Sequence, residues 1–272
     1  MLLPKHPGPF SFGRRSIMRA SWFLFALLLG VAPLCPAGAE VIPVPMADGA
    51  DDPTQTFLWE SPHPKAVLIM IPGGEGHIGL QPGKTDLGGI YSRVFKPLSE
   101  PAQSSGNLHV VIFGSPYALP TDPVFPTSRI SSDHQRRIES VVRFYRQRFG
   151  MPAWLQGHSN GAISVAEFIR THRDLVAGAI LSSSRVGVKV GADVGLPILF
   201  LHHRRDACSK ANPAADVDIY ESLRAAGKTD VDFAWVDGGT AGRGDVCHAG
   251  YHMFLGSEED AYRAVDRFIA GR

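Results

Sequence analysis

Charge of one sign is what this chain has least of. Lys and Arg total 27, Asp and Glu total 26, and the formal net charge over 272 residues is +1. That balance excludes the basic footprint of a nucleic-acid binder and the charge excess of a disordered chain. Cysteine is scarce, at 3 residues, so at most one disulfide can close within the chain. The HExxH spacing of a zinc site is missing, and His202 and His203 are adjacent rather than spaced as ligands. No pattern calls for a cofactor. Internal repeats and low-complexity stretches are absent. What remains, 44% hydrophobic and 19% charged, is a composition for one good core, too small to demand two domains.

Long apolar runs are also few. One from Trp22 to Val31 is too short for a comfortable membrane span. It follows Arg14, Arg15 and Arg19 and precedes Ala37-Gly38-Ala39, a small-x-small cleavage site. This is the form of a secretory signal peptide over residues 1–39. Met18 offers an alternative start that gives a leader of more usual length. The expected mature chain is a single domain, 40–272, exported to the periplasm or medium, with no membrane span. Residues 1–39 carry four basic side chains and no acid, so 23 basic against 26 acidic groups remain, about −3 in charge. Cys35 leaves with the leader. Cys208 and Cys247 stay, and an even count in an exported chain argues for one disulfide, two buried thiols being the alternative.

Strand and helix patterns alternate along the rest. Val41–Met46 and Thr54–Trp59 are expected as an edge hairpin. Lys65–Ile71 and His109–Gly114 are continuous apolar runs, as in strands covered on both faces. Ala153–Gln156, Ala177–Ser182, Pro197–His202 and Val231–Val236 are further strands. Helical patterns cover Ser131–Phe149, Ala162–Arg173, Ala214–Ala226 and Glu258–Ala270. This order predicts an α/β fold, a mostly parallel sheet with helices on both faces.

Gly157-His158-Ser159-Asn160-Gly161 follows one of these strands and opens a helix. A turn of this kind strains its central residue and lifts the side chain clear of the sheet, and the glycines let backbones pass closely. Ser159 is therefore a candidate nucleophile. A serine hydroxyl needs a base, and the base needs a carboxylate to hold its tautomer. In a parallel sheet such partners collect at the C-terminal strand ends. Asp206 follows the strand ending at His202, and His252 precedes the last helix. His248 is the rival base; Asp237 and Asp245 are rival acids. Backbone N–H donors for an oxyanion are expected from Asn160 and from the small-residue turn Pro72-Gly73-Gly74-Glu75-Gly76, Gly74 first and Glu75 next. That turn lacks both the GxGxxG spacing and the Lys-Ser/Thr pair of a phosphate loop. A Cys208–Cys247 bond would clip the acid loop to the base loop.

The set resembles the α/β-hydrolase family: the Gly157–Gly161 elbow, the Pro72-Gly73-Gly74 turn, Asp206 and His252 stand in the family's order across roughly residues 60–272. More narrowly it resembles small exported bacterial members of that family. Their pattern includes Gly73–Gly76, Arg129-Ile130-Ser131-Ser132-Asp133-His134, His202–Cys208, and Cys247 ahead of His252-Met253-Phe254. Met253 stands where that group has glycine, and Asn160 where it more often has arginine. His134 matches by position, and packing at a helix N-terminus is the expected role. About a dozen residues separate Ser182 from Pro197, so no large lid domain is expected. Loops 76–91 and 115–128 would then frame the substrate, with Ile78, Leu80, Tyr117 and Phe125 as candidate apolar walls. The resemblance implies a serine hydrolase acting on a small to medium carboxylic ester, without metal or cofactor. Peptidase, thioesterase or polyester hydrolase on the same groups, or an inactive binding protein of the same fold, are the alternatives.

Overall fold

A computed structural model describes residues 38–46, 49, 52–105, 108–121 and 126–272. Apart from Gly38 and Ala39, the expected leader lies outside the described residues, as does Phe125. The eight strands are β1 (Ala39–Val44), β2 (Thr54–Trp59), β3 (Ala66–Ile71), β4 (Leu108–Gly114), β5 (Ala153–His158), β6 (Gly178–Ser182), β7 (Ile198–His203) and β8 (Val231–Val236). They form one sheet in the order β1-β2-β4-β3-β5-β6-β7-β8. β2 runs antiparallel to both of its neighbours, and every other pairing is parallel. β3, β4 and β5 are buried at every position. Their apolar runs do not alternate because both faces of the central sheet are covered.

Four helices cover those faces: α1 (Ser132–Phe149), α2 (Asn160–His172), α3 (Pro213–Ala225) and α4 (Glu258–Ala270). α1, α2 and α3 pack on one face, where Ile138, Ile163 and Leu223 meet Val67, Leu155 and Phe200. α4 packs on the other, where Val265 and Phe268 meet Leu68, Trp154 and Leu199. There it is joined by a single π turn, Tyr91–Phe95, running into a 3-10 turn, Lys96–Ser99. The sequence pattern does not reveal this pair of turns; five residues and then four, with Pro97 inside the second, are too short for a helical period.

Local chemistry sets the helix ends. Ser131 Oγ accepts from the His134 N–H at 3.3 Å to cap α1. Gly150, at φ 65°, ends it in the left-handed conformation. Asn212 caps α3 through Oδ1 and the Ala215 N–H, with Pro213 in the first turn. The edge hairpin is tied to α1 by the Thr56 hydroxyl, 2.6 Å from Tyr145 Oη and donating to Ile42 O at 2.9 Å. Residues 183–197, between β6 and β7, contain no helix, which leaves the strand ends without a lid domain.

Two histidines in this framework stay neutral. His109 on β4 stacks on Phe149, and its Nδ1 accepts from the Ser61 N–H at 3.2 Å. Burial pulls its pKa down to about 4. Burial, then the charge of Arg129, holds His134 down at about 3. Unfolded imidazoles bind protons below about 6.5, whereas these two resist until much lower pH. The stability they contribute is complete above 6.5 and is lost as pH falls toward 4. Melting temperature followed from pH 7 to pH 4 is expected to drop, with a shallower drop in His134→Gln. A flat profile would contradict neutral burial of these rings.

Candidate active site

Ser159 sits between β5 and α2 at φ 55° and ψ −119°, a conformation that L side chains rarely adopt. Its N–H donates to Ser182 O at 2.9 Å, which fixes the turn to the neighbouring strand. The flanking glycines have no space for a side chain. A Cβ on Gly157 would lie 2.4 Å from Gly161 O, and one on Gly161 would lie 2.1 Å from Ile71 O. Gly73 is less tight but still closed to a side chain: a Cβ there would lie 2.9 Å from Ser159 Cβ. Three bare backbones thus cross beneath the serine.

Asp206 lies just beyond β7. Its side chain is fully shielded, with Oδ1 accepting from the Cys208 N–H at 2.9 Å and Oδ2 2.8 Å from His252 Nδ1. Burial alone would raise its pKa. The hydrogen bond from His252, that ring's charge and the Cys208 N–H outweigh burial and hold the carboxyl below its ordinary value. His252 stands in the 3-10 turn Gly250–Met253 and is 1% exposed. Its carbonyl accepts from Ser183 Oγ at 3.0 Å. Its Nε2 is buried with no partner among the described residues. Since Nδ1 faces a carboxylate, the proton belongs on Nδ1 and the lone pair on Nε2.

Ser159 and His252 line one cavity of about 450 Å³ at the C-terminal ends of the strands. A larger hollow of about 770 Å³, lined by Arg143, Gly150 and Asp174, contains neither residue. The rivals fall elsewhere. His248 pairs with Asp245 at 3.1 Å in the solvent-exposed stretch of that loop, and Asp237 pairs with Arg204 at the surface. His248 does reach the rim of the cavity but not Asp206.

Gly74, at φ 53°, lines the same cavity, as do Asn160 and Glu75. Asn160 also contributes its side chain, donating from Nδ2 to Gly74 O at 2.9 Å. Of the three expected apolar walls among the described residues only Ile78 is in place. Leu80 turns inward beneath Gly114, and Tyr117 lies outside, its hydroxyl on Asp133 and Arg137 over its ring. Met70, Ile90, Tyr91 and Met253 complete the wall instead. Tyr91 opens the short π turn and Ile90 caps it, so no sequence period marked them.

Several buried polar groups escaped the sequence pattern. His158 is fully enclosed beside His252, with ring centres 5.2 Å apart, and burial followed by the His252 charge holds its pKa at about 3. Ser182 Oγ, 3.2 Å from His158 Nδ1 and 3.3 Å from Gln156 Nε2, anchors this interior. Arg129 and Arg185 are both buried, the first on the Pro72 and Gly74 carbonyls and the second on Asn160 Oδ1 at 3.0 Å. His134 is packed on Phe113 and bonded to Ser164 Oγ at 2.9 Å, away from the cavity, in the packing role expected of it. Among the described residues no group of three or more His, Cys, Asp and Glu is arranged to hold a metal ion.

Cys208 and Cys247 are joined by a disulfide that spans 39 positions. A closed loop of that size is worth about 4 kcal/mol in the chain-entropy picture. Reduction, or Cys208→Ser with Cys247→Ser, is expected to lower stability by about 2–4 kcal/mol in urea titrations, and to lower turnover per folded molecule because Asp206 loosens. Two free thiols in the native protein would remove the basis for this. At the elbow, Gly161→Ala forces a side chain into a carbonyl, which no rotamer change relieves. A loss of about 3 kcal/mol or more is expected by the same titration, and a wild-type midpoint would contradict the close crossing.

No family model and no curated protein matches the chain. Solved structures do. A serine hydrolase without a lid from Xanthomonas campestris is 17% identical, covers 88% of this chain and 97% of its own, and superposes with a TM-score of 0.57. An enzyme from Butyrivibrio proteoclasticus solved with ferulic acid bound is 15% identical over 84% of this chain and 99% of its own, at 0.56. A thermostable carboxyl esterase from Bacillus coagulans is 9% identical over 87% and 99%, at 0.59. With an eight-stranded, mostly parallel sheet and these likenesses, the chain has the α/β-hydrolase fold.

Proposed function

We propose that this protein is a serine hydrolase that cleaves a small to medium carboxylic ester through an acyl-enzyme on Ser159. One observation carries the reading: His252 Nδ1 lies 2.8 Å from Asp206 Oδ2, while its Nε2 is buried without a partner in a protein whose elbow serine lines the same cavity. A buried nitrogen lone pair left unpaired costs stability, and an incoming hydroxyl proton would satisfy it.

In this reading Ser159 Oγ attacks the ester carbonyl and its proton passes to His252 Nε2. Asp206 stabilises the resulting imidazolium. The carbonyl oxygen becomes an oxyanion, accepted by the N–H groups of Gly74 and Asn160. Collapse expels the alcohol, which takes the proton from His252. Water then repeats the sequence with His252 as base, releasing the acid and restoring Ser159. The cavity suits a compact acyl or alcohol group against Ile78, Ile90 and Met253. The leader pattern and the disulfide together support an exported enzyme, in the periplasm or medium. The carboxyl esterase among the structural neighbours supports an ester as the substrate.

The test is a panel of p-nitrophenyl esters of graded acyl length, with thioester and peptide substrates alongside, and labelling by a fluorophosphonate. Ser159→Ala is expected to abolish both labelling and ester hydrolysis. Asp206→Asn is expected to lower kcat by roughly 10³–10⁴-fold with a small change in KM, because the imidazole loses its tautomer. Labelling elsewhere than Ser159, or ester hydrolysis that survives Ser159→Ala, refutes the proposal.

A further inference from the structure

Arg129 is the largest of the fully buried side chains, 1% exposed, and no carboxylate among the described residues interacts with it. Burial pulls its pKa down to about 10, so it remains a cation at neutral pH. Placing a lone cation inside a protein costs several kcal/mol unless other groups solvate it. Here backbone carbonyls do so. Nη1 donates to Pro72 O at 2.9 Å, and Nη2 donates to Gly73 O at 3.1 Å and Gly74 O at 2.8 Å. Ser164 Oγ, at 3.5 Å, is the weaker fourth contact. Arg137, eight positions on, shows the ordinary arrangement, an ion pair with Asp133 at 3.1 Å.

Three consecutive carbonyls therefore turn inward to one guanidinium. In a trans peptide the N–H points opposite to the C=O. The N–H groups of Gly73, Gly74 and Glu75 are thus turned away from Arg129, and all three residues line the cavity with Ser159. Donation to a peptide oxygen also strengthens that peptide's own N–H as a donor. Gly73 O receives a second bond from the Gly76 N–H at 3.0 Å, and Gly74 O a second from Asn160 Nδ2. The main chain of Arg129 is itself held in place and tied to α2. Gln135 Nε2 donates to Arg129 O at 2.8 Å and to Ser164 O at 3.2 Å.

Building on the hydrolase reading, we infer that Arg129 is a positioning residue for the oxyanion. Its guanidinium aims and polarises the Gly73–Gly74 and Gly74–Glu75 peptides and supplies the buried positive charge that the tetrahedral oxyanion balances. The ground-state ester is neutral and gains little from that charge. The oxyanion gains much, so the effect belongs to kcat rather than KM.

The experiment compares wild type, Arg129→Lys and Arg129→Met on one p-nitrophenyl ester. Active sites are titrated to completion with a fluorophosphonate, and inhibition is measured for each by phenylboronic acid, whose boron adds the serine oxygen and becomes a tetrahedral anion. Arg129→Lys keeps the charge and loses the fork; Arg129→Met loses both. Expected losses in kcat per titrated site are roughly 10-fold and roughly 100-fold or more, on the scale of removing one oxyanion donor. KM is expected to change little, and boronate affinity to fall in step with kcat/KM. A structural residue would instead lower the titratable fraction and leave kcat per site and boronate affinity as in wild type, which overturns the inference. If Arg129→Met does not fold, Arg129→Lys decides on the same two readouts. A wild-type protein that neither labels nor hydrolyses any ester overturns the hydrolase reading and this inference together. An active wild type with equally active variants overturns this inference alone.

Discussion

Ser159 stands where three backbones cross at Gly73, Gly157 and Gly161, each too close to a neighbour for a Cβ. Everything else at the site follows from that crossing. It lets α2 start directly over the end of β5 and presses the turn after β3 against the serine. The approach forces Ser159 into a strained conformation that only its surroundings can maintain. The Ser159 N–H on Ser182 O is one such restraint. The next residue, Ser183, is itself at φ 43°; its N–H is held by Leu201 O and its hydroxyl holds the carbonyl of His252. The end of β6 therefore ties the nucleophile turn to the histidine turn.

The polar interior behind these residues is extensive for a chain with so apolar a sheet. His158, Ser182 and Gln156 form one cluster beneath the elbow, and His202 pairs with Asp216 at 2.7 Å in another, both shielded from solvent. Such groups cost stability wherever one hydrogen bond is missing. Their use at one end of the sheet concentrates rigidity around Ser159, Asp206 and His252. The disulfide acts in the same direction from outside, since Cys208 follows Asp206 by two residues and Cys247 precedes His252 by five.

Much of the scaffold was legible beforehand because each cue was local. Continuous apolar runs marked β3 and β4, and helical spacing over Ser131–Phe149 marked α1 to within a residue. Asp206 and His252 were legible because a parallel sheet gathers strand ends at one edge. Leu80 and Tyr117 were misassigned to the cavity wall for a complementary reason. In a long loop an apolar residue can face the core, the cavity or solvent, and no period distinguishes them. The π turn that carries Tyr91 lacked a signal for the same reason. Arg129 had the least visible role. A charged residue before a helix reads as solvated, and only the convergence of three carbonyls from a turn more than fifty residues earlier makes it an interior cation.

The chain itself determined the strand and helix alternation, the elbow around Ser159, and the order of serine, acid and histidine. These depend on residues adjacent in sequence or on their rank along it. Tertiary structure alone decided which histidine meets which carboxylate, which side chains wall the cavity, and what solvates Arg129. Those outcomes depend on distances between segments far apart in the chain, and a few ångströms of packing separate a buried pair such as His252 and Asp206 from the solvent-exposed pair His248 and Asp245.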